Sequence, residues 1–109
     1  MGLDIRFKEV RPVICPHCGK VTGTEVVGVE DSGGRVWYPI LETIGYCVPY
    51  DQRTEENDWY GKDMVLADEQ ARFVREYIKK HDVFCGREIC GLIANALADG
   101  HEVVVNADW

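Results

Sequence analysis

Apolar and polar residues alternate in LDIRFKEV, residues 3–10. Leu3, Ile5 and Phe7 fall on one side and Asp4, Arg6 and Lys8 on the other, the period of a half-buried strand. VTGTEVVGV, residues 21–29, is rich in β-branched residues and predicts a second strand, closed by the turn signal EDSGG. RVWYPILETIGY supports two readings. Arg35 to Tyr38 extends a hairpin, or Pro39 opens one or two helical turns that Gly45 ends. The polar stretch from Val48 to Met64 predicts a long ordered loop.

The period then changes. Asp68 is a good N-cap for a helix through EQARFVREYIKKH, in which Ala71, Val74, Ile78 and His81 share an inner face widened by Phe73 and Tyr77. Lys79 and Lys80 stand where the helix dipole favours cations. REICGLIANALAD predicts a second helix with Ile89, Ile93, Ala96 and Leu97 facing inward and Gly100 as its stop. EVVVNA reads as a closing buried strand. The expected fold class is α+β: a small single domain, mostly antiparallel sheet, with two helices in its C-terminal half. Its parts are strands with a cysteine pair (1–36), an acidic aromatic segment (37–66), the two helices (67–99) and the closing strand (101–107).

Composition narrows the class. At 109 residues the chain carries one modest core, and 46% hydrophobic with 28% charged residues is ordinary for a globular domain. MGLDIRFKEVR lacks the apolar stretch of a secretory signal, so the expected location is cytoplasmic, and no apolar run is long enough to span a membrane. The net charge is −7, with residues 23–69 contributing −8 (three basic, eleven acidic) and residues 1–22 contributing +2. Such a surface repels phosphates, which argues against direct nucleic-acid binding and for a partner with a basic surface.

Five cysteines in a cytosolic chain point to thiols or metal rather than to a disulfide scaffold. In VICPHCGKVTG, Cys15 and Cys18 admit two readings. Cys-Pro-His-Cys resembles the active-site tetrapeptide of thiol oxidases, in which a helix beginning behind the pair stabilises a thiolate. Here the pair is followed by GKVTGTEVVGV, whose glycines and β-branched residues do not start a helix comfortably. The pattern fits a zinc knuckle better: a tight turn brings backbone N–H groups to the first sulfur, and Gly19 opens the backbone after the second. Structural zinc takes four ligands, and Cys85 and Cys90 in FCGREIC are the expected completion, with His81, Cys47 and His101 as substitutes. The alternative is that Cys47 and Cys90 are small core residues and the pair is a free dithiol.

Trp37, Tyr38, Tyr46, Tyr50, Trp59 and Tyr60 crowd into twenty-four residues beside much of the acid. Trp37, Tyr38, Tyr50, Trp59 and Tyr60 are the expected partner-binding residues; a minor core pinning the loop is the other reading. Asp51, Glu55, Glu56, Asp58 and Asp63 offer a carboxylate pair or a hard-metal site, or simply a solvated loop. His17, His81 and His101 have no serine or aspartate at telling distances, and no Gly-Lys-Ser/Thr phosphate loop is present.

Residues 13–20 resemble the knuckle of zinc-ribbon and treble-clef domains. MGLDIRF and GGRVWYPILETIGYCVPYDQRTEENDWYGKDM resemble small proteins encoded by bacteriophages and prophages. That second resemblance implies a non-enzymatic binder, in its sharpest form an inhibitor of host defence acting in the host cytoplasm. The expected function is therefore protein binding by a domain stapled with zinc, to a host or phage protein or within a homo-oligomer. The alternatives are sequestration of a nucleotide-like molecule, with Arg35, Arg53 or Lys62 turned inward, and a thiol-disulfide oxidoreductase using Cys15 and Cys18.

Overall fold

The computed structural model describes residues 3–109, the side chain of Tyr50 apart. Its elements are β1 (Asp4–Ile14), β2 (Val21–Gly33), a 3₁₀ turn (Arg35–Trp37), α1 (Tyr38–Thr43), a second 3₁₀ turn (Tyr50–Gln52), β3 (Met64–Leu66), α2 (Asp68–Lys80), α3 (Gly86–Asp99) and β4 (Glu102–Asp108). The strands form one antiparallel sheet in the order β2-β1-β4-β3. The α+β class, the antiparallel sheet and the two C-terminal helices are as the sequence predicts.

The alternation in β1 sets the two faces of the sheet. Ile5 pairs with Ala107 and Phe7 with Val105, and all four are at most 2% exposed beneath the helices. α3 lies against β1, β2 and β4, and α2 packs on α3. Val74, Ile89, Ile93 and Ala96 are fully buried at that junction. The opposite face is mixed: Arg6 bonds Asp31 at 2.7 Å and Asn106 bonds Asp63 at 2.9 Å, while Val29 and Val65 stand exposed beside them. Among the described residues no helix is long and apolar enough to cross a membrane.

Several local expectations are corrected. β2 does not stop at EDSGG but runs on to Gly33, because Glu30, Asp31 and Ser32 find cross-strand partners in Phe7, Arg6 and Ile5. Arg35 to Trp37 coil into the 3₁₀ turn instead of extending the hairpin, and α1 follows with Pro39 in its first turn. Where the expected loop ends, Met64–Leu66 pairs with Val103–Val105 as β3, a strand not expected from the sequence. Ala67, not Asp68, caps α2, where the Gln70 side chain accepts the Ala67 N–H at 2.8 Å. α2 ends at Lys80, so His81 is exposed with its ring stacked on Tyr77, and Phe73 faces solvent.

One element leaves the body. β4 pairs with β1 only as far as Val10, so residues 11–14 and 21–25 pair with each other alone, as a two-stranded arm. A bulge between Glu9 and Val10 marks its root. The arm stretches the molecule to 48 × 33 × 24 Å, with a radius of gyration of 14.7 Å; a compact chain of this length has about 13 Å.

Candidate metal centre

At the end of the arm the chain reverses through Cys15-Pro-His-Cys18-Gly-Lys20. The Cys15 N–H donates to the Lys20 carbonyl at 2.9 Å, and the Gly19 N–H donates to the Cys15 carbonyl at 2.9 Å. Gly19 has φ +70°, the left-handed conformation that glycine adopts without strain. The backbone N–H groups of Cys18 and then His17, with the Cys18 thiol, hold the Cys15 thiol below its ordinary pKa. N–H groups thus converge on the first sulfur and favour its thiolate, the form that binds metal. Cys15 is half-buried and Cys18 exposed.

The expected partners of this pair are elsewhere. Ser32 Oγ donates to the Phe84 carbonyl at 2.6 Å, which fixes Cys85 at the level of Ser32 on β2. Val21, at the tip, is eleven residues away along that strand, roughly 35 Å at about 3.3 Å per residue. Cys90 sits one turn further along α3, its Sγ 4.0 Å from the Arg75 carbonyl. Tetrahedral thiolate ligands of zinc lie only about 4 Å apart. Cys15, Cys18, Cys85 and Cys90 of one chain therefore do not meet at one ion in this fold. Their chemistry diverges too. Partial burial first, then the carboxylates of Glu88, Glu30 and Asp31, push the Cys85 thiol up. Burial likewise raises Cys90 and Cys47.

The aromatic segment is mostly internal, so the partner surface expected there is corrected in part. Trp37 is fully buried, donates its indole N–H to Ser32 Oγ at 2.9 Å and packs on Phe7. Tyr46 is 1% exposed; its hydroxyl donates to the Lys62 carbonyl at 2.7 Å and accepts the Ala107 N–H at 2.8 Å. Tyr38, Tyr46 and Tyr60 surround Trp109, with Tyr60 nearest at 4.8 Å. Trp59 packs half-buried against the core, and Tyr60 stays half-exposed. The side chain of Tyr50 lies outside the described residues. The loop is pinned by its rings, as the minor-core reading has it.

A cluster that the sequence reading missed lies under α3. Glu9 continues the series Leu3, Ile5, Phe7, so it faces the helices and is 7% exposed. Its carboxylate meets His101 Nδ1 at 2.6 Å, and Asp99 brings a third donor, all within 4.8 Å of one another. Among the described residues this is the one group of three or more His, Cys, Asp or Glu donors so close together. An acid at the fourth odd position of an apolar series was the available signal. The close contact with His101 satisfies the buried carboxylate, and the pair ties β1 to the end of α3.

A cavity of about 470 Å³ opens on the outer face of the sheet among Asp4, Arg6, Lys8, Asp31, Asn106 and Asp108. None of the aromatics of the central segment lines it, so it has no platform on which a base would stack. Comparison with known proteins returns no matching family model, curated protein or solved structure.

Proposed function

We propose that this chain is a non-enzymatic binding module whose contact element is the β1–β2 arm, with zinc held at its tip by Cys15 and Cys18. One observation carries the reading: the two thiols sit on a tight turn at the end of an arm and, among the described residues, belong to no group of three His, Cys, Asp or Glu donors that all lie within 4.8 Å of one another. Zinc has borderline-soft character and prefers sulfur in structural sites, and two thiolates leave two positions for a partner. The arm suits a contact role, since Val13, Ile14 and Val21 are 38 to 64% exposed along it and Val26 and Val27 are exposed at its root. The body holds its own core far from the tip, so zinc would act as a connector, not as the staple expected from the small size of the chain.

The dithiol enzyme uses the same two residues, but β2 begins three residues after Cys18, where that chemistry wants a helix. The resemblance to phage proteins supplies a context, a host or phage protein as partner, and the acidic body favours one with a basic surface. Titration with Co²⁺ under anaerobic conditions tests the site. Thiolate-to-cobalt charge-transfer absorption should appear with the natural protein and with Cys85→Ser or Cys90→Ser. It should vanish with Cys15→Ser or Cys18→Ser while the far-ultraviolet dichroism stays unchanged. Equal loss in Cys85→Ser, or no absorption at all, overturns the reading.

A further inference from the structure

We infer that the two missing zinc ligands come from a second copy of this chain, so that one ion joins two arms through Cys15 and Cys18 of each. The inference rests on the zinc-bearing tip proposed above and names its partner. Symmetry makes the fit natural. A tetrahedral ion has two-fold axes that exchange one pair of ligands with the other, and a self-complementary dimer has one such axis. An ion on that axis receives two thiolates from each side, and neither chain needs any residue it does not already present.

The neighbourhood of the tip favours this occupant in three ways. Val13, Ile14 and Val21 flank the cysteines and are 38, 56 and 64% exposed. Two tips brought together by the ion would cover these side chains with one another. Charge is the second argument. Four thiolates on Zn²⁺ leave a net charge of about −2, whatever the surrounding chain. Residues 11–24 contain Arg11 and Lys20 and no acid, in a chain whose net charge is −7. One Lys20 from each copy stands beside the centre and offsets its charge. Reach is the third. The arm carries its tip beyond the sheet, so two acidic bodies joined tip to tip stay separated by more than a Debye length of about 8 Å.

Assembly exchanges bonds simply. Four thiols give up four protons to solvent as four Zn–S bonds form, with no change of oxidation state. Affinity therefore falls steeply as pH drops.

Native mass spectrometry of the full chain, with zinc supplied and then removed by a chelator, decides the matter. The expected species is a dimer holding one zinc, which returns to monomer on chelation. Cys15→Ser should stay monomeric with folded-state charge distributions, and Ile14→Glu should keep the zinc-dependent dimer but weaken it by roughly tenfold or more. A monomer carrying one zinc would overturn the shared site while leaving zinc at the tip. A chain that takes up no zinc would overturn both the shared site and the function proposed above. A dimer indifferent to zinc and to Cys15→Ser would also sink the inference.

Discussion

At the residue scale, position in the fold separates side chains that look alike in the sequence. Five cysteines are equivalent in composition, yet Cys15 is pulled down by N–H groups while Cys47, Cys85 and Cys90 are pushed up by burial. A lowered pKa means that half of the thiol is ionised at a lower pH. In the metal-free protein, alkylation of Cys15 should therefore reach half its maximal rate at a lower pH than alkylation of Cys85, read by mass-spectrometric peptide mapping. A Cys15 midpoint no lower than that of an unstructured cysteine peptide would mean that the tip turn does not form. Trp37 and Tyr60 diverge in the same way. Trp37→Ala opens a cavity in the core and should lower stability by about 3–5 kcal/mol. Tyr60→Ala, at a half-exposed site, should lower it by about 1 kcal/mol, both read from urea unfolding. For the Glu9–His101 pair, His101→Ala should cost about 2 kcal/mol by leaving a buried carboxylate without its partner. Glu9→Leu combined with His101→Leu should recover most of that loss, and a double variant no better than His101→Ala would show that the pair does more than satisfy burial.

At the element scale, what was legible depended on the length and regularity of the pattern. β1, α2 and α3 each repeat a period often enough to declare their type and most of their inner face, β4 declares itself as a short β-branched apolar run, and Gly100 ends α3 with φ +70° as its position predicts. β3 spans three residues, Met64–Leu66, too few to display an alternation, and exists because β4 offers it an edge. The end of β2 was hidden for a different reason. Glu30, Asp31 and Ser32 are turn formers by local preference, and cross-strand pairing with β1 overrides that preference. Contact between elements was not legible. A methyl group on Gly86 would come within 2.9 Å of Ile78 Cγ2 and Val83 Cγ2, so α3 approaches the end of α2 more closely than any side chain allows. Gly86→Ala should cost about 1–3 kcal/mol despite its better helix propensity, measured by urea unfolding. The arm should behave oppositely. Replacing residues 12–24 by Asn-Gly, between the paired Arg11 and Glu25, removes no core residue. Such a protein should unfold cooperatively with a similar midpoint, and loss of the fold would mean that the arm is part of the domain.

At the scale of the whole molecule, the chain is a helix-covered sheet of net charge −7 with one projecting arm, whose tip carries a cysteine pair on a tight turn. The sequence spacing singled out Cys15 and Cys18, which the fold places at the tip of the arm. It could not reveal how far the tip stands from Cys85 and Cys90, because seventy residues of separation do not determine distance before the sheet is built. Four cysteines that look like one set when counted along the sequence are thus divided between two ends of β2, and the proposal turns on what would complete the pair at the tip. The most direct measurement is zinc-edge X-ray absorption on a chain carrying Cys47→Ala, Cys85→Ala and Cys90→Ala, which leaves only Cys15 and Cys18 as thiols. The account predicts a single shell of four sulfurs at about 2.3 Å, with one zinc for every two chains. A shell of two sulfurs with nitrogen or oxygen ligands, or no bound zinc, would contradict it.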